Sequence, residues 1–241
     1  MKTVEVCFTP SLLNKYTIED KLVVVVDILR ATTIITTMFK NGLAKLLPVK
    51  NLDEAKAFKE KGFMVAAERN GKKLDFADFN NSPYAFTPEK IKEKTLVYSS
   101  TNGTNTIDSV KSAKKVVIAS FLNLSAVTDY IQKSNKNVVI LCSGWQGNFC
   151  SEDAIFAGAL SERLLTTRLF TTNCDSSLAS MDLWSVAKKD ILNYIKSIYQ
   201  YQRLISLGLG NIIDYCFQTD ITSVVVLLKD NYLIEQKDFN K

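Results

Sequence analysis

Two short stretches set a carboxylate and a guanidinium side by side at the end of an apolar run. Asp27 closes the run Val23–Val26, and Arg30 follows three positions later, ahead of Ala31-Thr32-Thr33. Glu68 and Arg69 close the run Phe63–Ala67 and lead into Asn70-Gly71. A carboxylate and an arginine at one strand tip can hold a metal ion and grip a phosphate through a planar, two-pronged fork. The same residue types also make a helix cap with a local ion pair, and Asn-Gly is a turn signal in its own right. Neither stretch alone decides between these readings.

Three further loops carry polar groups at comparable places. Asn80-Asn81-Ser82-Pro83 is weak by itself, since it also reads as a capped turn before proline. Ser100-Thr101-Asn102-Gly103-Thr104 follows the run Thr95–Ser99 and precedes a helix. Hydroxyls and free backbone N–H groups there could cradle an anion, or simply cap the helix. Ser143-Gly144-Trp145-Gln146-Gly147 follows Asn137–Cys142, and Glu152 and Asp153 open the next helix. Acidic residues are favoured in a first helical turn anyway, but these two could also be metal ligands.

Positioning such loops is a task for a parallel sheet. Apolar, β-branched runs recur at Val4–Phe8, Leu22–Val26, Leu46–Val49, Phe63–Ala67, Thr95–Ser99, Lys115–Ala119, Asn137–Cys142 and Ser223–Leu228. Several are continuous rather than alternating, as in strands buried on both faces. Helical periodicity lies between them over about 31–40, 52–61, 123–133 and 151–167. Asn123 is the expected N-cap of the third helix, and Ala154, Ala157, Gly158 and Ala159 should let the fourth pack closely on the sheet. The alternation predicts an α/β fold with a mostly parallel sheet and helices on both faces. Residues 176–217 read as a helix-rich C-terminal segment before a last strand. Ligands bind outside the carboxyl ends of parallel strands, so four polar loops after four strands should meet at one rim. The 241 residues suit one unit, with two lobes meeting near 115–120 as a variant.

Composition removes several chemistries. The chain has no histidine, which excludes histidine phosphatases, His-based triads and His-ligated zinc centres. A metal here must take oxygen ligands, which favours Mg²⁺. The residues six positions after the five cysteines are Leu13, Asn148, Phe156, Ser180 and Thr222, so no Cys-x₅-Arg phosphatase loop exists. Asp27 lacks the second carboxylate of an Asp-x-Asp pair, no Gly-x-Ser-x-Gly elbow is present, and the 100–104 loop lacks a Walker A ending. Five cysteines without CxxC spacing read as reduced thiols. The net charge of +5 is dispersed, giving no nucleic-acid stripe. No apolar stretch is long enough for a membrane span. Lys2 and Glu5 flank a strand-like start rather than a signal peptide, so a cytoplasmic protein is expected.

Taken together and in order, these stretches resemble the 2-phosphosulfolactate phosphatase (ComB) family. The resemblance rests on Val26-Asp27-Ile28-Leu29-Arg30-Ala31-Thr32-Thr33, Glu68-Arg69-Asn70-Gly71, Asn81-Ser82-Pro83 and Ser100-Thr101-Asn102-Gly103-Thr104. It continues through Ser120-Phe121-Leu122-Asn123, Cys142-Ser143-Gly144 to Glu152-Asp153 with Ala157-Gly158, and Asp214-Tyr215-Cys216-Phe217-Gln218. It implies a Mg²⁺-dependent phosphatase converting 2-phospho-3-sulfolactate to sulfolactate and phosphate, a step of coenzyme M biosynthesis. Asp27, Arg30, Glu68 and Arg69 are then the expected catalytic residues, and Asp27, Glu68, Glu152 and Asp153 the metal ligands. Substrate contacts are expected from Thr32, Asn81, Ser82, Ser100, Thr101, Asn102, Gly103, Thr104, Ser143 and Gly144. The chain departs from the family where members commonly carry a histidine, in the segment matching Tyr199-Gln200-Tyr201-Gln202-Arg203-Leu204, and where Ala67 replaces a usual glycine. The missing histidine motivates an alternative, a non-catalytic sensor of a phosphorylated or sulfonated metabolite. The partner expected in either case is a small anion, with homo-oligomerisation left open.

Overall fold

A computed structural model describes residues 1–237. Eleven strands form one sheet: β1 Lys2–Cys7, β2 Leu22–Val26, β3 Lys45–Pro48, β4 Met64–Arg69, β5 Lys72–Lys73, β6 Thr95–Ser99, β7 Lys115–Ala119, β8 Val138–Cys142, β9 Phe170–Thr171, β10 Val226–Lys229 and β11 Tyr232–Glu235. Their order is β5-β4-β6-β3-β11-β10-β7-β2-β8-β1-β9. The β9-β1-β8-β2-β7 half is parallel, and so is β3-β6-β4. The hairpin β10–β11 joins the halves, pairing antiparallel with β7 on one side and with β3 on the other. The fold is therefore α/β with a mostly parallel, open sheet, as the strand–helix alternation predicts. The last strand does return to the sheet, but as one arm of that hairpin. Its partner β11 is not evident in the sequence pattern, nor are the two-residue edge strands β5 and β9.

The main helices are α1 Ala31–Lys40, α2 Leu52–Glu60, α3 Gly103–Ser109, α4 Leu124–Ser134, α5 Ser151–Thr166, α6 Asp175–Ala187 and α7 Tyr199–Ser206. Both faces of the sheet are covered. Val24 and Val26 of β2 pack in a cluster with Leu124, Val127 and Ile131 of α4 and with Ile155 and Leu160 of α5. Val23 and Val25 point the other way, into a cluster with Ile34, Ile35 and Met38 of α1. That alternation along a wholly valine-and-leucine strand is why β2 reads as a continuous apolar run.

α1 is buried along its whole length except Lys40. Its neighbours come from far apart in the sheet: Val23 and Val25 on β2, Leu96 and Tyr98 on β6, Ala66 on β4, Val226 on β10 and Leu233 on β11. Four strands lie between β2 and β6 in the sheet order, so this cluster runs past the hairpin and joins the two parallel halves. A helix buried all round cannot leave hydroxyls unpaired. Thr36 and Thr37 donate to the carbonyls of Thr32 and Thr33 at 2.9 and 2.8 Å, and Thr33 donates to that of Ile28 at 2.9 Å.

Two local expectations need correction. Asn123 does not cap α4 with its side chain. It is fully buried, its Oδ1 accepts from the Ser120 N–H at 3.0 Å, and its Nδ2 donates to the Val224 carbonyl at 3.0 Å. The small residues of α5 serve a helix as well as the sheet: a Cβ on Gly158 would sit 2.0 Å from the Ser180 carbonyl oxygen, so Gly158 is where α6 crosses. Among the described residues, no helix is long and apolar enough to cross a membrane.

Candidate active site

The loops after β2, β4 and β6 meet at one narrow cleft. Its walls are Asp27, Leu29, Arg30 and Ala31 after β2, Glu68 and Gly71 at the end of β4, Asn81, and Ser100-Thr101-Asn102 after β6. Trp145, after β8, and Arg203, on α7, complete it. Seven of the residues expected from sequence thus meet, although the strands that deliver them are not neighbours.

Asp27 lies at the seam of the two halves. Its Oδ1 accepts from the Ala31 N–H at 3.0 Å, which fixes the carboxylate over the start of α1. Its main chain is tied to Thr32, whose hydroxyl accepts from the Asp27 N–H and donates to the Asp27 carbonyl, both at 2.9 Å. Thr32 is thus a brace behind Asp27 and has no place on the cleft wall. Gly103 packs where the halves touch: a Cβ there would lie 2.3 Å from the Ala31 Cβ and 3.0 Å from Asp27 Oδ2. Burial raises the Asp27 carboxyl to about 6, opposed by the Ala31 hydrogen bond and reinforced by the Glu68 charge.

Arg30 is buried and extends across the cleft floor, where its Nη1 donates to the Asn81 carbonyl. The Asn81 side chain is held in turn by the Tyr98 hydroxyl, which donates to Oδ1 at 2.7 Å. Ser82 is turned away, with its N–H on Asn80 Oδ1 at 3.2 Å. Arg69 also leaves the cleft. Its guanidinium donates to the carbonyls of Glu68 and Lys50 at 2.7 and 3.1 Å and to Ser99 Oγ at 3.0 Å, and it does not face Arg30 across the substrate space.

Glu68 works as a strut. Oε1 accepts from the Thr101 N–H at 2.8 Å and from the Thr101 hydroxyl at 3.0 Å, and Oε2 accepts from the Gly71 N–H at 2.7 Å. The 100–104 loop is similarly self-bonded: the Thr104 N–H donates to Ser100 Oγ at 3.1 Å, and the Ser100 N–H to Thr104 Oγ1 at 3.2 Å. Three N–H groups of the expected anion cradle, those of Ser100, Thr101 and Thr104, therefore have internal partners. The loop's contribution to the cleft comes from Ser100, Thr101 and Asn102.

Asp153 is a second strut, joining β2 to β8. Its Oδ1 accepts from the Ile28 N–H at 2.8 Å and its Oδ2 from the Gly144 N–H at 3.1 Å. Gly144 has φ +61, and a Cβ on it would strike the Asn148 carbonyl at 2.2 Å. Glu152 is buried, and burial followed by the Asp27 charge pushes its carboxyl up to about 7. It lines a neighbouring cavity with Trp145, Cys150 and Gln200. The Asp153 carboxyl is raised by burial and then by the charges of Glu152 and Asp27. Ser143 Oγ is buried without a hydrogen-bond partner. Cys142 is fully buried, and burial raises its thiol well above the usual range, so it is no nucleophile.

The oxygen-rich donors fit a hard cation only in part. Among the described residues, no group of three or more Asp, Glu and Cys side chains is gathered tightly enough to hold a metal. Glu68 and Asp153 spend their oxygens on backbone N–H groups, which leaves Asp27 and Glu152. One or two carboxylates completed by water and substrate phosphate is nevertheless the usual magnesium arrangement. The orphaned Ser143 hydroxyl, one residue beyond the Cys142 that pairs with Val26, is a further oxygen in that neighbourhood.

Trp145 and Arg203 were not singled out by strand-tip reasoning. Trp145 lies in one of the quoted loops but carries no charge to mark it. Arg203 stands in the middle of a helix in the C-terminal segment, and only the departure from the family at Tyr199–Leu204 drew attention to its surroundings.

The profile of the 2-phosphosulpholactate phosphatase family matches residues 7–231. Proteins named "Probable 2-phosphosulfolactate phosphatase" align over nearly the full length. The one from Caldanaerobacter subterraneus subsp. tengcongensis is 38% identical over 94% of this chain and 95% of its own. That from Thermotoga maritima is 36% identical over 90% and 93%, and that from Clostridium botulinum strain Eklund 17B is 32% identical over 96% and 99%. The chain belongs to the 2-phosphosulpholactate phosphatase family.

Proposed function

We propose that this protein is a Mg²⁺-dependent phosphoric monoester hydrolase that converts 2-phospho-3-sulfolactate to sulfolactate and inorganic phosphate. The observation that carries the reading is the meeting of Asp27, Arg30 and the 100–102 loop in one cleft lined also by a second guanidinium, Arg203. Among the described residues neither guanidinium is ion-paired with a carboxylate. Two arginines without a direct ion-pair partner in a narrow cleft favour an anionic ligand.

Hydrolysis transfers the phosphoryl group to water: an oxygen–phosphorus bond to water forms, the bond to the C2 oxygen breaks, and that oxygen takes a proton from solvent to end as the hydroxyl of sulfolactate. Asp27 orients the attacking water and takes its proton. Arg30, fixed by Asn81, donates to the phosphoryl oxygens as charge spreads over them. Thr101 and Asn102 contribute polar groups to the same pocket wall. Asp27 and Glu152 would hold the Mg²⁺ together with phosphate oxygens, and the bound ion supplies positive charge to the phosphoryl group and lowers the pKa of bound water.

The test is release of inorganic phosphate from a panel of phosphorylated organic acids, with Mg²⁺ and after exhaustive chelation. Turnover of 2-phospho-3-sulfolactate that vanishes on chelation and returns with Mg²⁺ is expected. Binding without phosphate release would favour the sensor reading instead.

A further inference from the structure

We infer that Arg203, stacked on Trp145, is the residue that recognises the sulfonate of the substrate. The inference rests on the phosphatase reading above and assigns a part of the cleft that the hydrolytic step leaves unused. The Arg203 guanidinium lies over the Trp145 ring at 3.9 Å from its centroid. Among the described residues its one hydrogen bond is long, Nη1 donating to Gln200 Oε1 at 3.4 Å, and no carboxylate lies within ion-pair distance. A half-buried guanidinium held flat on an indole with most of its donors unused is ready to receive an anion along its edge.

The platform beneath it is built. Trp145 and Asn148 exchange two backbone hydrogen bonds, each 3.0 Å, across a turn in which Gln146 and Gly147 take positive φ. The Gln146 N–H reaches Asn102 Oδ1 at 3.5 Å, tying this turn to the cleft loop. Arg203 and Arg30 come from separate elements and line the same cleft, where the charges of Glu68 and then Arg30 act on Arg203. They thus offer two anion sites in one cleft. Arg30 lies with Asp27 and the water-orienting chemistry, so the phosphate belongs there.

Between the two remaining anions of the substrate, the sulfonate is favoured at Arg203. Its methylene and sulfur carry its oxygens farther from the phosphate-bearing carbon than those of the carboxylate. A sulfonate is also a weakly basic, weakly hydrated anion, which suits a stacked guanidinium better than it suits an ammonium.

The experiment compares 2-phospho-3-sulfolactate with 2-phospholactate, which keeps the phosphate and carboxylate but has a methyl group in place of the sulfonated methylene. Wild type, Arg203→Gln and Arg203→Lys are assayed, with folding checked by thermal melting. Arg203→Gln should raise KM for the sulfonated substrate on the order of 10–100-fold and cost 2-phospholactate at least about tenfold less. Arg203→Lys should restore only part of the affinity. Equal losses on both substrates, or none on either, would overturn the inference. Binding of 3-sulfolactate, followed by tryptophan fluorescence, reads the same site without turnover. Loss of that binding in Arg203→Gln supports the inference even if wild type releases no phosphate, an outcome that would sink the hydrolase reading alone. Unchanged 3-sulfolactate binding in Arg203→Gln would overturn the inference whatever the turnover.

Discussion

Asp27 and Ala31 can approach the loop after β6 only because residue 103 has no side chain. The space for a Cβ is already filled by Ala31 and by Asp27 Oδ2, at 2.3 and 3.0 Å. Gly103→Ala must therefore push the two halves of the cleft apart. A stability loss of about 1–3 kcal/mol is expected by chemical denaturation, with a larger proportional loss of phosphate release because the displaced group is the proposed water-orienting carboxylate. The two arginines expected at the site from sequence should now separate. Arg30→Lys keeps a charge but loses the fork aimed into the cleft, so kcat/KM should fall on the order of 10²-fold. Arg69→Lys alters a side chain bonded to Lys50, Glu68 and Ser99 outside the cleft, and steady-state kinetics should remain within about threefold of wild type, since the retained charge can still reach those acceptors. Similar large losses from both substitutions would show that Arg69 turns inward when substrate binds.

At the scale of elements, two carboxylates expected to bind metal act as struts between loops. Glu68 holds the β4 end to the 100–104 loop, and Asp153 holds β2 to the turn after β8. Glu68→Gln removes the charge from an acceptor of three hydrogen bonds and should cost about 1.5–3 kcal/mol in denaturant melts. Mg²⁺ affinity measured on the same variant should change little, because Glu68 is placed outside the metal set. The sequence makes strand tips legible because the signal is local: an apolar run ends, a polar residue follows, and a helix begins. That suffices to find Asp27, Arg30, Asn81 and the 100–102 loop. It does not show which oxygens are already spent, because the Glu68 partners come from a loop more than thirty residues away in the chain. Arg203 was hidden for a related reason, since it reaches the cleft from a helix and no strand tip announces it.

For the whole molecule, the central feature is that loops after non-adjacent strands of one sheet deliver residues to one cleft, with α1 buried between helices and sheet. Strand–helix alternation predicts the parallel sheet and the layers on both faces, but not the β10–β11 hairpin inserted between β7 and β3, a long-range pairing that periodicity does not encode. Enclosure also buries Asp27, Glu152 and Asp153 close together, and burial raises all three carboxyls. A raised folded-state pKa means that the folded protein holds protons the unfolded chain has released. Stability of the metal-free protein should thus fall as pH rises from about 4, through the folded values of about 6 and 7 for Asp27 and Glu152. Mg²⁺ should restore more stability at pH 8 than at pH 5.5, because it competes with those protons. Thermal melts across pH with and without Mg²⁺ check this, and Glu152→Gln should flatten the metal-free slope. The measurement that bears most directly on the hydrolytic centre is phosphate release from 2-phospho-3-sulfolactate by Asp27→Asn and wild type at saturating Mg²⁺. With the fold intact by circular dichroism, the variant should lose on the order of 10²–10³ in kcat and respond less to added Mg²⁺; wild-type turnover by Asp27→Asn, with an unchanged Mg²⁺ requirement, would show that the cleft around Asp27 is not where the phosphate is hydrolysed.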